Sequence, residues 1–186
     1  MNSDNNLKEI IQKYAQVFPQ AWRKYLKKIE SSEIWLPMNE AEMQCMLFSE
    51  CLLEMKEKNL DKPFQIFAED REITKGKRAD ISLGKLEDGR FVVVELKSFP
   101  EYQPVENDIK KLLEYVNKNV MYGYFGMIAY RKYNYKENID LDCLGILEDS
   151  QHSFYEWHEM DLSYLDEKIE TLLVGMIRNS RSSESE

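Results

Sequence analysis

The stretch 78–99, RADISLGKLEDGRFVVVELKSF, contains two apolar runs joined by a tight-turn signal, Glu87-Asp88-Gly89. Each run carries a charge that an ordinary strand would not bury. The second run, Phe91 to Val94, is continuously apolar, as expected of a central strand covered on both faces, and it ends in Glu95-Leu96-Lys97. The first run carries Asp80 near its start. Residues two apart in a strand share a face, so Glu95 and Lys97 project together while Leu96 points the other way. With the turn at 87–89, counting back along an antiparallel pair sets residue 96 opposite residue 80, within one residue. Asp80, Glu95 and Lys97 are therefore predicted to converge at one end of a hairpin.

Working outward, residues 64–73 form a strand ahead of this hairpin and 79–86 its first arm. Residues 105–120 have helical spacing, with Ile109, Leu112, Leu113 and Val116 on one face. Residues 121–130 are aromatic and apolar and predict a buried strand. Upstream, Leu7, Ile10, Ile11, Tyr14, Val17 and Phe18 are spaced as a helix that Pro19 is expected to break or kink, with a second piece carrying Trp22, Tyr25, Leu26 and Ile29. A stronger helix follows Asn39 as its cap, with Glu40 and Glu42 in the first turn. Downstream, 142–148 and 153–159 predict a hairpin, and the segment from Asp161 to Ile177 predicts a closing helix. The fold class is α/β, a mixed central sheet flanked by helices. The division expected is an N-terminal helical segment over 1–36, an α/β domain over 37–178 and a disordered tail over 179–186.

The chain has 186 residues, 43% of them hydrophobic, which supports a sizeable core. Its formal net charge of -9 argues against tight non-specific nucleic-acid binding over the whole surface, though not against a local basic face. Three cysteines, Cys45, Cys51 and Cys143, make no disulfide framework and predict reduced core thiols. The chain opens without a charged-then-apolar leader and has no apolar run of membrane-spanning length, which predicts a cytoplasmic protein with no membrane partner.

Two carboxylates a few ångströms apart repel unless a cation lies between them. Mg²⁺ prefers carboxylate oxygens, keeps several waters and shares its site with phosphates. A neighbouring lysine orients or helps deprotonate a water, or stabilises charge on a phosphate in the transition state. These are the parts of a metal-dependent phosphodiester hydrolase. The alternative for Asp80, Glu95 and Lys97 is a structural salt bridge at a strand end.

The set, Asp80 in RAD followed by VELK, resembles the PD-(D/E)xK nuclease superfamily, which has an acid on its second core strand and E-x-K on its third. The order helix, three strands, helix, strand matches residues 39 to about 130. The resemblance implies a restriction-endonuclease-like core in which Asp80 and Glu95, with the Leu96 carbonyl, ligate Mg²⁺ or Mn²⁺. It implies that Lys97 positions the attacking water and that Glu40, with Glu42 as second choice, supports a ligand or a second metal. It implies DNA as substrate. The helix after the E-x-K strand offers Asp108 and Lys111 where the family often has a glutamine.

Lys75, Lys77 and Arg78 beside the site, Lys111 on the following helix, and Arg131 and Lys132 within YRKYNYK (130–136) are candidate phosphate contacts. A solvated loop is an equal reading for Lys75, Lys77 and Arg78, whereas a solvated helix face for Lys111 and a strand-end loop with aromatic stems for Arg131 and Lys132 are the preferred readings. His152 and His158 lack partners at zinc-ligand spacing. Trp22, Trp35 and Trp157 are assigned to core or interface. A homodimer would suit a cut through both strands of a duplex. A second reading is a binding module on the same fold without cleavage, for which the acidic balance suits a protein partner. A third is an acidic protein that imitates DNA.

Overall fold

A computed structural model describes residues 2–60, 66–74, 77–86, 89–99, 105–118, 120–142, 144–146 and 153–177. Helix α1 runs over Asn2–Glu30 and α2 over Glu40–Glu57. Strands β1 (Ile66–Thr74), β2 (Lys77–Leu86) and β3 (Gly89–Ser98) follow, then α3 (Val105–Lys118) and β4 (Val120–Tyr130). A single 3₁₀ turn (Arg131–Tyr133), the short α4 (Tyr135–Asn138), β5 (Ser153–Met160) and β6 (Ile169–Ile177) complete the order. The chain is α/β, with a six-stranded mixed sheet in the order β1-β2-β3-β4-β6-β5. Only β3 and β4, joined through α3, are parallel; every other neighbouring pair is antiparallel.

Alternation along β3 divides the core between the two faces of the sheet. Val92, Val94 and Leu96 pack beneath α1 and α2, whereas Val93 packs beneath α3 with Ile109 and Leu112. The apolar stripe of α1, from Ile11 through Tyr14, Phe18, Trp22 and Tyr25 to Ile29, is buried against the first face. The N-terminal helix thus shares a core with the sheet. Close approach depends on Gly126 of β4, where an added Cβ would lie 2.8 Å from Cζ3 of Trp22.

Pro19 neither breaks nor ends α1, contrary to the expectation of two pieces. Proline removes the N–H that would have reached the carbonyl four residues back. That carbonyl, of Ala15, accepts instead from the Tyr124 hydroxyl at 2.6 Å. A tertiary hydrogen bond replaces the missing local one, and it lies 109 residues away in sequence.

The Asn39 cap is as expected, its side chain accepting from the Glu42 N–H at 2.9 Å. Cys45 is exposed, not a core thiol, whereas Cys51 is buried; Cys143 lies outside the described residues. Burial pushes the Cys51 thiol well above its usual range, with help from the Glu54 and Glu50 charges.

Two downstream expectations are corrected. The expected closing helix is strand β6, buried along nearly its whole length between β4 and β5. A short run apolar on all sides has no period that separates buried strand from buried helix. The expected pairing of 142–148 with 153–159 does not form in its described part. Residues 141–146 close local turns, and β5 pairs with β6 from Ser153 opposite Met176 to Met160 opposite Ile169. Residues 147–150 lie outside the described residues, as does the tail from 178. No helix among the described residues is long and apolar enough to cross a membrane.

Candidate active site

The β2–β3 register is regular, with Ile81 opposite Val94 and Leu83 opposite Val92. Counting one pair further sets Asp80 opposite Glu95, one residue from the expected partner and within the stated tolerance. Directly opposed residues share a face with Cβ atoms about 5 Å apart, so the two carboxylates lie side by side on the α3 face. Lys97 follows on the same face. All three line one open cleft of about 610 Å³, together with Glu40, Leu96 and, from α3, Asp108 and Lys111.

Each group is held by identifiable partners. Oδ2 of Asp80 accepts from the Leu96 N–H at 2.6 Å, fixing the carboxylate across the hairpin. The Asp80 carbonyl accepts from Nε2 of Gln44 at 2.5 Å, tying β2 to α2. The Lys97 ammonium lies 3.5 Å from Asp108 and 3.6 Å from Glu40, held between two helices. Lys111 donates to Oε2 of Glu95 and to the Arg78 carbonyl, each at 2.8 Å. Oε1 of Glu95 is buried and has no hydrogen-bond partner. Since the Leu96 side chain is buried in the core, what it offers the cleft is backbone.

These surroundings set the protonation states. Burial, with the adjacent Asp80 charge next and Asp108 last, pushes the Glu95 carboxyl up to about 8; the Lys111 ammonium opposes the shift. For Lys97 burial acts downward, but the Asp108 and Glu40 carboxylates outweigh it and raise the ammonium above its ordinary value.

Between the two acids of the helix start, the geometry chooses Glu40. Glu42 is engaged in capping, its Oε2 accepting from the Met38 N–H at 2.7 Å, while Glu40 faces Lys97. Among the candidate phosphate contacts, Arg78 is exposed and lines the cleft with Lys110 and Lys111. Lys111 is therefore no simple solvated charge: it is bonded to Glu95. Lys75 and the Lys77 side chain lie outside the described residues. Arg131 and Lys132 follow β4, away from the lining of the cleft. Arg131 pairs with Glu159 at 3.0 Å, and Lys132 sits over the Tyr130 ring at 4.8 Å. His158 pairs with Glu30 at 2.7 Å, Trp22 is core, and Trp157 packs at the edge of the core. Trp35 is 75% exposed, which removes it from the core.

Gln44 was not singled out by sequence reasoning. Its signal was position, one helical turn beyond Glu40 on the same face. Asp108 and Lys111 stand three apart on the helix that follows the E-x-K strand, the spacing that turns both toward one site.

The residues present fit a divalent ion. Two carboxyl groups are opposed, one with a buried unpartnered oxygen and one held by a backbone N–H. Among the described residues no three His, Cys, Asp or Glu side chains gather into a cage. Mg²⁺ can bind through one or two carboxylates, with water and phosphate in the rest of its shell. No protein-family model, no curated protein and no solved structure matches this chain.

Proposed function

We propose that this chain is a Mg²⁺- or Mn²⁺-dependent phosphodiester hydrolase acting on DNA, built on a restriction-endonuclease-like core. The order α2-β1-β2-β3-α3-β4, with β3 parallel to β4, agrees with the core order expected from the resemblance. The observation that carries the reading is the opposed Asp80–Glu95 pair with its unpartnered buried oxygen and Lys97 on the same face. Asp80, Glu95 and the Leu96 carbonyl would hold the ion. The ion would supply charge neutralisation on the phosphate and a more acidic bound water.

The remaining roles belong to this chain. Lys97, kept cationic by Asp108 and Glu40, donates to the attacking water or to a phosphate oxygen and stabilises the charge that develops there. A lysine held in this state is a poor proton acceptor, so its role is orientation and charge. Lys111 holds Glu95 until a phosphate offers its ammonium a stronger partner. Four carboxylates (Glu40, Asp80, Asp108, Glu114) and four cations (Arg78, Lys97, Lys110, Lys111) line the cleft beside Glu95, which holds its proton up to about pH 8, so without a divalent ion an entering phosphate meets no net positive charge.

The test is cleavage of plasmid and single-stranded DNA by the purified chain with Mg²⁺ or Mn²⁺. Asp80→Ala and Lys97→Ala should each lower the rate by about 100-fold or more. Asp80→Ala should also abolish Mn²⁺ binding in calorimetry, whereas Lys97→Ala should retain it. Absence of cleavage, or rates unchanged in both variants, would show the hydrolase reading to be wrong.

One observation favours a second reading. The Lys111 ammonium already neutralises one oxygen of Glu95 at 2.8 Å, which a protein-binding module with no use for an ion would keep. Such a module would give no Mn²⁺ heat in the wild type.

A further inference from the structure

The two chain segments that deliver Glu40 and Lys97 to the cleft also wall a second groove. Met38 precedes Glu40 by two residues, and Phe99 follows Lys97 by two. Each step spans at most about 7 Å of extended chain. The groove encloses about 560 Å³ between Trp35, Met38, Phe99, Tyr130, Tyr164 and Leu165. Its rim is unusually apolar for a surface: Trp35 is 75% exposed, Met38 85% and Tyr164 38%. Three large apolar side chains left in water at one place mark a binding surface.

The walls are aromatic planes. Trp35 and Tyr164 meet edge to face at 5.5 Å, and Phe99 and Tyr130 lie 4.7 Å apart. Phe99 holds φ at 46°, a left-handed conformation costly for a bulky side chain. Its N–H is fixed to the Ile128 carbonyl at 2.7 Å, so the turn that ends the E-x-K strand sets the ring against Tyr130 at the groove wall. Beyond the wall stand two cations that are paired with Glu159, Glu170 and Glu167. The Lys132 ammonium sits 4.8 Å from the Tyr130 ring and Arg131 precedes it. An uncharged aromatic floor is complementary to the faces of unpaired bases, which stack on it whatever their sequence.

We propose that this groove stacks unpaired nucleobases next to the scissile phosphate. The substrate class is then DNA that is single-stranded at and beside the cut. A duplex hides the faces of its bases in its own stack, so only an unpaired strand can present them to Trp35 and Tyr164. Successive bases of a stacked strand rise about 3.4 Å along its axis, so the two-residue offset places the stacked base one or two nucleotides from the ion. The proposal rests on the hydrolase reading for its scissile phosphate, but base stacking in the groove is measurable without cleavage.

The test titrates the intact chain, in Ca²⁺, with a single-stranded oligothymidylate and with a hairpin duplex of equal length. Binding is followed by tryptophan fluorescence and by anisotropy of the labelled DNA. The single strand should quench the wild type, and the Trp35→Ala variant should lose that change. Trp35→Ala and Tyr164→Ala, at exposed positions and checked by melting temperature, should each weaken single-strand binding by about fivefold or more and leave the duplex unaffected. Single-strand affinity unchanged in both variants, equal weakening of strand and duplex, or no single-strand binding by the wild type would overturn the proposal. So would a dimer that dissociates in Trp35→Ala while DNA affinity stays constant, since the groove would then seat a second copy. The two readings separate cleanly. Duplex cleavage unimpaired by Trp35→Ala removes the groove and keeps the hydrolase, whereas single-strand quenching without any cleavage keeps the groove and removes the hydrolase.

Discussion

Glu95 lies where its neighbours work against its charge. Burial and the Asp80 carboxylate together hold its proton to about pH 8, against an ordinary value of 4.5. The folded state therefore binds a proton that the unfolded chain has already released between those two values. Stability from this group is full below about pH 4.5 and declines as pH rises through that window. In metal-free protein, Glu95→Gln should raise the melting temperature at pH 8 and have little effect at pH 4.5. The difference accumulates at about 1.4 kcal/mol for each pH unit over which the carboxyl stays protonated. Thermal melts in chelator check this, and a larger gain at low pH would reverse the assignment. A bound divalent ion would cancel the effect, because it takes the place of the proton. The E-x-K spacing and the acid one arm upstream were visible in the chain itself. The proton affinity of Glu95 was not, because it depends first on how deeply the tertiary fold buries the carboxyl, and then on Asp80 across the hairpin and on Lys111 and Asp108 of α3.

Among the elements, α1 illustrates how a local rule is overridden. Pro19 deprives the Ala15 carbonyl of its helical partner, and the Tyr124 hydroxyl on β4 supplies another. Tyr124→Phe should then leave a carbonyl unsatisfied at a cost of about 1–3 kcal/mol. Pro19→Ala restores the helical donor, so Tyr124→Phe should cost much less in that background. A double-mutant cycle by denaturant unfolding should show coupling of at least about 0.5 kcal/mol, and strict additivity would mean that the hydroxyl does not serve this carbonyl. The Asn39 cap of α2 and the periodicity of α2 and α3 were legible because they use neighbours in sequence, as was the β2–β3 hairpin with its short turn. β6 was not, because its Leu172-Leu173-Val174 run has no polar face to reveal a period.

For the whole molecule, a net charge of -9 makes DNA binding a local affair. Among the described residues, the four cations of the cleft are the ones placed to meet phosphates near the proposed ion. Counterion release through these four gives duplex binding a slope of about -3.6 in log K against log salt. Anisotropy titrations in Ca²⁺ across a salt series check this, and a much steeper slope would mean that a basic surface elsewhere contributes. Arg131 and Lys132 contribute less than a count of charges suggests, because Glu159, Glu170 and Glu167 lie within 4 Å of them.

The amino-acid order alone determined the helices flanking a sheet, the hairpin from Lys77 to Ser98 and the convergence of Asp80, Glu95 and Lys97 at one of its ends. All of these follow from contacts close in the chain or from strict two-residue alternation. Tertiary structure alone decided the insertion of β6 between β4 and β5, the choice of Glu40 over Glu42, the engagement of Lys111 with Glu95, and the exposure of Trp35 beside the cleft. Each depends on which distant surface a segment packs against, and an apolar or charged side chain has the same local signature whatever it eventually meets.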